Sequence, residues 1–336
     1  MLDCLNYIQA CVSCFLISLI ISPFIISLIK REKVKQVILQ YVDNHQSKEG
    51  TPTMGGIIFL ISISIVAFIF FKNSSTLAVV TLLVFIAYGV NGFLDDFIKF
   101  KFKRNLGLKA YQKILFQLAI AGAVSYFVYT SPIVGTTLLV PFVNITIDVG
   151  WWIIPITIIV FLACTNSVNL TDGLDGLAAS TVMCYMLSFI FLLLVQFTTR
   201  FADGSTLILF EYKNIITLNC VIVGAMLSFL LFNCFPAKIF MGDTGSLALG
   251  GLVACVAIFT RNTLFIPILG VMFVLSALSV IIQVAYYKLT KKRVFLMAPL
   301  HHHFEKRGVF EGRIVMCYSV ITSIVGLLVV LFELLF

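Results

Sequence analysis

Residues 151–198 read WWIIPITIIVFLACTNSVNLTDGLDGLAASTVMCYMLSFIFLLLVQFT. Two apolar runs, 151–165 and 177–198, flank one short polar stretch. A helix that crosses a bilayer needs about 20 apolar residues, so the runs read as spans and the stretch as their junction. Within it Asn166, Asn169, Asp172 and Asp175 recur every third residue. On a helical turn that spacing stacks them along one face. Gly173 and Gly176 interrupt the pattern and predict a loop or a broken helix. A carboxylate at the centre of a membrane helix costs about 2.5–3.5 kcal/mol, which places the stretch at a membrane edge. Alone, it reads either as a solvated loop capped by Asn and Gly or as a polar site for a cation or phosphates.

The same pattern of long apolar runs fills the 336 residues. The chain is 60% hydrophobic and 11% charged, with mean hydropathy +1.09. That composition excludes a soluble domain and predicts an all-α, polytopic membrane protein, a single transmembrane domain over 1–336. Ten candidate spans fall at 5–29, 54–71, 77–94, 112–130, 151–165, 177–198, 215–232, 246–260, 264–287 and 314–336. Internal repeats are not evident. Cys11 and Cys14 form a CxxC inside the first run and read as packing residues, because no second pair or nearby His completes a metal set.

No Lys or Arg precedes the first run, and Lys30 and Arg31 follow it, which predicts an uncleaved first helix with its N-terminus outside. Ten spans then put the C-terminus outside too. On that map the inner segments carry 19 of the 23 Lys and Arg: five in 30–50, six in 95–113, Lys238 alone in 233–245 and seven in 288–313. Lys72, Arg200, Lys213 and Arg261 fall outside. The net charge of +8 is therefore membrane topology and not a nucleic-acid signal. The outer segment 131–150 reads either as a short β-hairpin or as a plain connector.

The polar residues of note all fall on the inner side. The first inner segment runs Lys48-Glu-Gly-Thr51-Pro-Thr53-Met-Gly-Gly into the second span. Thr51 and Thr53 are candidate caps, and the free N–H groups of that helix are a candidate anion site beside Lys48. The third span ends in Asp95-Asp96. Neighbours on a helix point about 100° apart, so the pair reads either as one residue facing a metal and the other a different group, or as an acidic helix end neutralised by Lys99, Lys101 and Lys103. In the 233–246 segment, Asn233 and Phe240 precede Gly-Asp243-Thr-Gly-Ser. Asp243 suits magnesium, which takes one or two carboxylates plus phosphate and water. Phe240 suits stacking on a base. The last inner segment holds His301, His302 and His303. Three consecutive His cannot share one ion with good geometry, so hydrogen bonds to phosphate are the better reading.

Together TPTMGG (51–56), LDD (94–96), NLTDGLDGLA (169–178), FPAKIFMGDTGS (235–246) and PLHHHFE (299–305) resemble the polyprenyl-phosphate N-acetylhexosamine-1-phosphate transferases. TPTMGG and PLHHHFE are similar to the phospho-N-acetylmuramoyl-pentapeptide branch of bacterial peptidoglycan synthesis. In one place the chain departs from the family pattern: a Thr-Lys-Gly-Leu after LDD is here Asn105-Leu106-Gly107-Leu108, and Lys109 or Lys113 is the candidate substitute.

The resemblance implies a ten-helix enzyme of the bacterial inner membrane with its active site facing the cytoplasm. Its implied partners are UDP-MurNAc-pentapeptide, undecaprenyl phosphate, the lipid bilayer and, as the assembly to test, a second copy in a homodimer. The implied products are lipid I and UMP, with Mg2+ required. The implied catalytic residues are Asp95, Asp96, Asp172, His302 and His303, and the implied metal ligands Asp243 and Asp172. The implied substrate-binding residues are Lys48, Thr53, Asn166, Asn169, Asp175, Asn233, Phe240, Gln283 and His301. Two rivals remain at this level: a sister transferase using another UDP-N-acetylhexosamine such as UDP-GlcNAc, and a cation-coupled transporter. Carboxylates gathered at one face instead of the midplane weigh against the transporter.

Overall fold

Helices occupy most of the computed structural model, which describes residues 2–32, 50–71, 75–102, 107–143, 145–199 and 206–335. Among these are twelve α-helices: α1 Leu2–Arg31, α2 Gly56–Phe70, α3 Thr76–Lys101, α4 Ala110–Thr130, α5 Ile153–Thr171, α6 Leu177–Thr199, α7 Thr206–Asn233, α8 Gly242–Phe259, α9 Ile266–Leu269, α10 Val271–Thr290, α11 Leu300–Lys306 and α12 Glu311–Leu335. Nine of the described helices are long and apolar enough to cross a membrane. The tenth expected span is α2, whose 15 residues give a length of about 22 Å.

Helix α8 is the centre of the bundle. Every residue from Thr244 to Phe259 is buried, as an apolar-all-round helix must be. Helices α2, α3 and α5 pack along it, while α1 lies along α7 and α12 along α6. Close approach needs small residues, since packing and not water drives helix association in lipid. A Cβ on Gly92 of α3 would overlap the backbone carbonyl of Asp243, so only glycine lets α3 touch the first turn of α8 there. Cys11 lies on α1 with its carbonyl against Gly224 of α7, and Cys14 is a buried free thiol, in line with a packing role.

Contacts sort the helix ends into two faces. One face, here the aspartate face, joins the ends of α5 and α7 to the starts of α4, α6, α8 and α12. At the far face Glu211 of α7 meets the start of α3, Gln196 of α6 meets Glu333 of α12, and Lys213 pairs with Asp3 of α1 at 3.0 Å. Both ends of the described chain therefore stand at the far face. The 131–150 segment forms the hairpin, with β1 Thr137–Leu139 antiparallel to β2 Thr146–Asp148. Arg261 fastens it by donating to the carbonyls of Val134 and Ile133 at 2.7 and 2.9 Å.

Two expectations need correction. The 264–287 run is not one span: a 3₁₀ turn at Thr263–Phe265 and the short α9 precede α10, with the break at Gly270. Pro267 suits the first turn of a helix and Gly270 ends it. The run at 151–165 is in turn longer than expected, because α5 continues through Asn166 and Asn169 to Thr171. The break is confined to residues 172–176.

Candidate active site

The site begins with a helix cap supplied from another helix. Asp96 of α3 accepts hydrogen bonds from the Thr244 N–H at 2.9 Å, the Thr244 hydroxyl at 2.7 Å and the Asp243 N–H at 3.3 Å. The first N–H groups of a helix lack internal partners, and the positive end of the helix dipole favours a carboxylate. Asp96 thus holds the first turn of α8, and with it Asp243, at a fixed place.

Asp95, one residue earlier, points elsewhere, as the helical offset requires. It accepts from the Leu108 N–H at 2.8 Å and pairs with Lys99 at 2.6 Å. Lys99 also reaches Asp243 at 2.8 Å and stands 3.9 Å from Asp96. Lys113, from α4, adds a second ammonium 2.9 Å from Asp243. Asn169, from the last turn of α5, donates to Asp243 at 2.5 Å and to the Ser246 hydroxyl at 2.8 Å. One carboxylate oxygen each from Asp95, Asp96 and Asp243 lie within 4.8 Å of one another. All three donors are hard oxygens, which suits magnesium, so the residues present fit that ion. In the expected set Asp172 was the second ligand. The structure gathers Asp95 and Asp96 with Asp243, and Asp172 stands beside them.

Asp172 ends α5 and accepts from the Gly242 N–H. Burial, and after it the charges of Asp243, Asp96 and Asp175, push its carboxyl up to about 8. The rest of the 172–176 turn is fastened from three sides. Asp175 is buried, donates its N–H to Glu311 at 2.6 Å and accepts from the Ala237 N–H at 2.9 Å. Asn233 is buried too, accepting from the Gly176 N–H at 3.1 Å and donating to the Ile239 carbonyl at 2.9 Å. Both were expected to touch substrate. Their polar groups tie the turn to the 233–243 segment, which gives both a positioning role. Gly173 lies against the buried His301, where a Cβ would overlap the imidazole.

The TPTMGG segment also differs from expectation. Neither Thr51 nor Thr53 caps α2, whose N-cap is Gly55. The N–H groups of Gly55 and Gly56 donate to the carbonyls of Phe240 and Met241 at 2.8 and 2.9 Å, and Phe240 donates back to Pro52 at 2.8 Å. These N–H groups are therefore closed to an anion. The segment is a backbone splint for the turn that carries Asp243. Thr53 is half-buried beside Gly242. Phe240 is also half-buried, with its backbone fixed by that splint.

The remaining expected residues spread around this centre. Asn166 lies one turn deeper on α5 and donates to Gln117 and to its own Leu162 carbonyl, both at 2.8 Å, which makes it part of the packing beneath the site. Gln283 of α10 accepts from the N–H groups of Val294 and Phe295 at 3.1 and 2.9 Å, which braces the loop after α10. His303 Nδ1 accepts from the Leu296 N–H at 3.1 Å, and burial followed by Arg307 holds its pKa below the ordinary value. His302 Nδ1 lies 2.9 Å from Glu305. The three histidines thus face three different partners. Lys48 lies outside the described residues. Lys113, Thr244, Ser246 and Glu311 complete the cluster and its supports, and of these the sequence signalled only Lys113, as a substitute for a displaced lysine.

The Glycosyl transferase family 4 model matches residues 77–261. Signature 1 of the phospho-N-acetylmuramoyl-pentapeptide-transferases matches residues 48–60. The phospho-N-acetylmuramoyl-pentapeptide-transferase of Clostridium kluyveri is 44% identical over 314 residues, 93% of this chain and 95% of the relative. That of Clostridioides difficile strain 630 is 44% identical over 313 residues, covering 93% of each. The Clostridium novyi enzyme of the same name is 41% identical over 315 residues, 94% of this chain and 93% of the relative.

Proposed function

The chain belongs to the phospho-N-acetylmuramoyl-pentapeptide-transferase family, and from that premise we propose that it makes lipid I. It transfers phospho-MurNAc-pentapeptide from UDP-MurNAc-pentapeptide to undecaprenyl phosphate and releases UMP. The observation that carries the reading is the Asp95–Asp96–Asp243 group with Lys99 and Lys113 at one face of a membrane bundle. A soluble anionic nucleotide and a lipid phosphate can meet only at such an edge. The excess of Lys and Arg in the segments of that face supports a cytoplasmic orientation in the inner membrane.

An oxygen of the lipid phosphate attacks the β-phosphorus of the nucleotide. One P–O bond forms, the bond to the α-phosphate oxygen breaks, and UMP leaves with that electron pair. The acceptor phosphate is mostly a dianion at pH 7, since its second pKa is about 6, so Asp95 orients it and need not act as a strong base. Phosphoryl transfer is mainly positioning and charge neutralisation. Lys99 and Lys113 neutralise the phosphate oxygens, Asn169 and Asp96 fix Asp243, and Phe240 stacks on uracil. Magnesium held by Asp243 and Asp95, with Asp172 beside them, would supply the remaining positive charge on the diphosphate.

The test uses purified protein in detergent with undecaprenyl phosphate and magnesium, comparing UDP-MurNAc-pentapeptide with UDP-GlcNAc. UMP release with the muramoyl nucleotide alone, lost with EDTA, is the expected result. Release with UDP-GlcNAc alone moves the chain to the sister branch. Release with neither overturns the transferase reading.

A further inference from the structure

A second feature of the aspartate face lies outside the catalytic cluster. Pro23, Ile26, Ser27, Lys30 and Arg31 of α1, with Phe232 of α7 and Lys238 of the following turn, line an open, groove-like cavity of about 490 Å³. None of Asp95, Asp96, Lys99, Lys113 or Asp243 lines it. Its two halves differ in chemistry. Ile26, Pro23 and Phe232 make an apolar wall, and the neighbouring Phe24, Leu28 and Leu231 are 70%, 50% and 58% exposed, so the wall opens toward lipid. Lys30, Arg31 and Lys238 make a cationic rim, and among the described residues no carboxylate pairs with any of them. Glu32, the next residue, does not line the cavity.

We propose that this cavity binds one anionic phospholipid, with its phosphate on Lys30, Arg31 and Lys238 and its first methylenes against Ile26 and Phe232. Volume and chemistry agree. The cavity is within the usual range for small-ligand sites, about 300–1,000 Å³. Basic pockets between membrane helices are fitted to phospholipid headgroups. The occupant is not the acceptor lipid, because a phosphate held here is not held at the carboxylate cluster. It does touch the segment that carries Asp243. The Lys238 N–H donates to the Phe232 carbonyl at 2.7 Å, which closes the turn between the two cavity walls, and Lys238 stands five residues before Asp243. A lipid seated on Lys238 therefore steadies the 233–243 segment.

The experiment is native mass spectrometry of the purified full chain after exchange into phosphatidylglycerol, phosphatidylcholine or undecaprenyl phosphate micelles. Thermal stability is followed in parallel. The expected result is one phosphatidylglycerol retained by the wild type and lost in Lys30→Gln/Arg31→Gln/Lys238→Gln. Each basic residue near an anionic surface contributes about 1 kcal/mol, so the triple variant should bind roughly a hundredfold more weakly. Ser27→Trp, which fills the cavity without changing charge, should lose the same lipid. It serves as the second test should the triple variant fold poorly. Phosphatidylglycerol should raise the wild-type Tm more than phosphatidylcholine does, and neither variant should show that difference. Equal retention by the wild type and Ser27→Trp would overturn the site. So would equal retention of phosphatidylcholine, or selective retention of undecaprenyl phosphate, which would make this an acceptor entrance instead.

Discussion

Two helices in this protein start against a carboxylate from a different helix, one at each face. At the far face Glu211 of α7 accepts from the Ser75 hydroxyl at 2.5 Å and from the N–H groups of Thr76 and Leu77 at 2.8 and 3.0 Å, capping α3. At the aspartate face Asp96 accepts from the Thr244 hydroxyl and two N–H groups, capping α8. The donor sets match: one hydroxyl and two backbone N–H groups. The surroundings do not. Glu211 has no ionic partner among the described residues, and its hydrogen bonds there are those of the cap. Asp96 sits within 4.8 Å of two further carboxylates, with Lys99 among them. Satisfying helix N–H groups in lipid is reason enough for Glu211. It is not reason enough for Asp95 and Asp243, which cap nothing. The excess charge beyond the capping need is what marks the aspartate face as a reaction site.

The sharpest way to break that distinction is to remove charge at each face in turn. Asp243→Asn should lower kcat by about 1,000-fold or more while leaving a folded protein, because preorganised charge at a phosphoryl site is worth at least that. Near wild-type turnover would sink its place at the centre of the site. Asp96→Asn should come next. Its amide oxygen can still accept from Thr244, but its NH2 then faces the Asp243 N–H, which loses its acceptor, so the first turn of α8 is held less firmly and Asp243 shifts. A displacement of about 1 Å at a reacting group costs roughly 100-fold in rate. Glu211→Gln, the matched change at the far face, should lower stability by about 1.5–3 kcal/mol for its charged hydrogen bonds and leave kcat of the folded enzyme unchanged. Measured kcat and Tm on the three variants decide the matter. A kcat loss in Glu211→Gln equal to that in Asp96→Asn would abolish the contrast between the faces.

A smaller effect separates the two lysines left open by the departure after Leu94-Asp95-Asp96. Lys113 reaches Asp243 at 2.9 Å, whereas Lys109 is exposed at the start of α4 and its backbone N–H meets Gln112. Lys113→Met should lower kcat/KM by roughly 10–100-fold, the scale of one charge-assisted contact to phosphate or its holder. Lys109→Met should match the wild type in the same assay.

How much of this was legible beforehand follows from what periodicity can carry. The spans were readable because lipid demands long apolar helices. Asp95 and Asp96 were readable as a divided pair because the helical offset of adjacent residues does not depend on tertiary structure. The far-face hairpin was half legible, since alternation from Leu139 to Ile147 fits a strand but Arg261, which fastens it, comes from more than a hundred residues away. What the sequence did not show of Asn233 and Asp175 is that both tie the 172–176 turn to the 233–243 segment. A buried amide bridging Gly176 and Ile239 looks identical in sequence to one facing a ligand, because the partner is set by packing. The TPTMGG segment was misread for a related reason. Its N–H groups do meet oxygens, but these belong to the Phe240 and Met241 backbone, and no local pattern announces a partner about 185 residues on.

The smallest expected effect concerns Asp172, whose carboxyl is pushed up to about 8 by burial and by Asp243, Asp96 and Asp175. In an unfolded chain an aspartate titrates near 4. Between about pH 4 and 8 the folded protein therefore keeps a proton that the unfolded chain has released, so stability falls as pH rises through that window. With EDTA present, the wild-type Tm in detergent should drop by a few degrees from pH 5 to pH 8. Asp172→Asn, which cannot ionise, should flatten the curve. Magnesium should flatten the wild-type curve as well, because a cation beside the cluster offsets the repulsion that raised the pKa. Glu211→Gln supplies a contrast at the far face: it should lower Tm through weaker hydrogen bonds at the start of α3. A slope that persists in Asp172→Asn would place the titrating group elsewhere in the cluster.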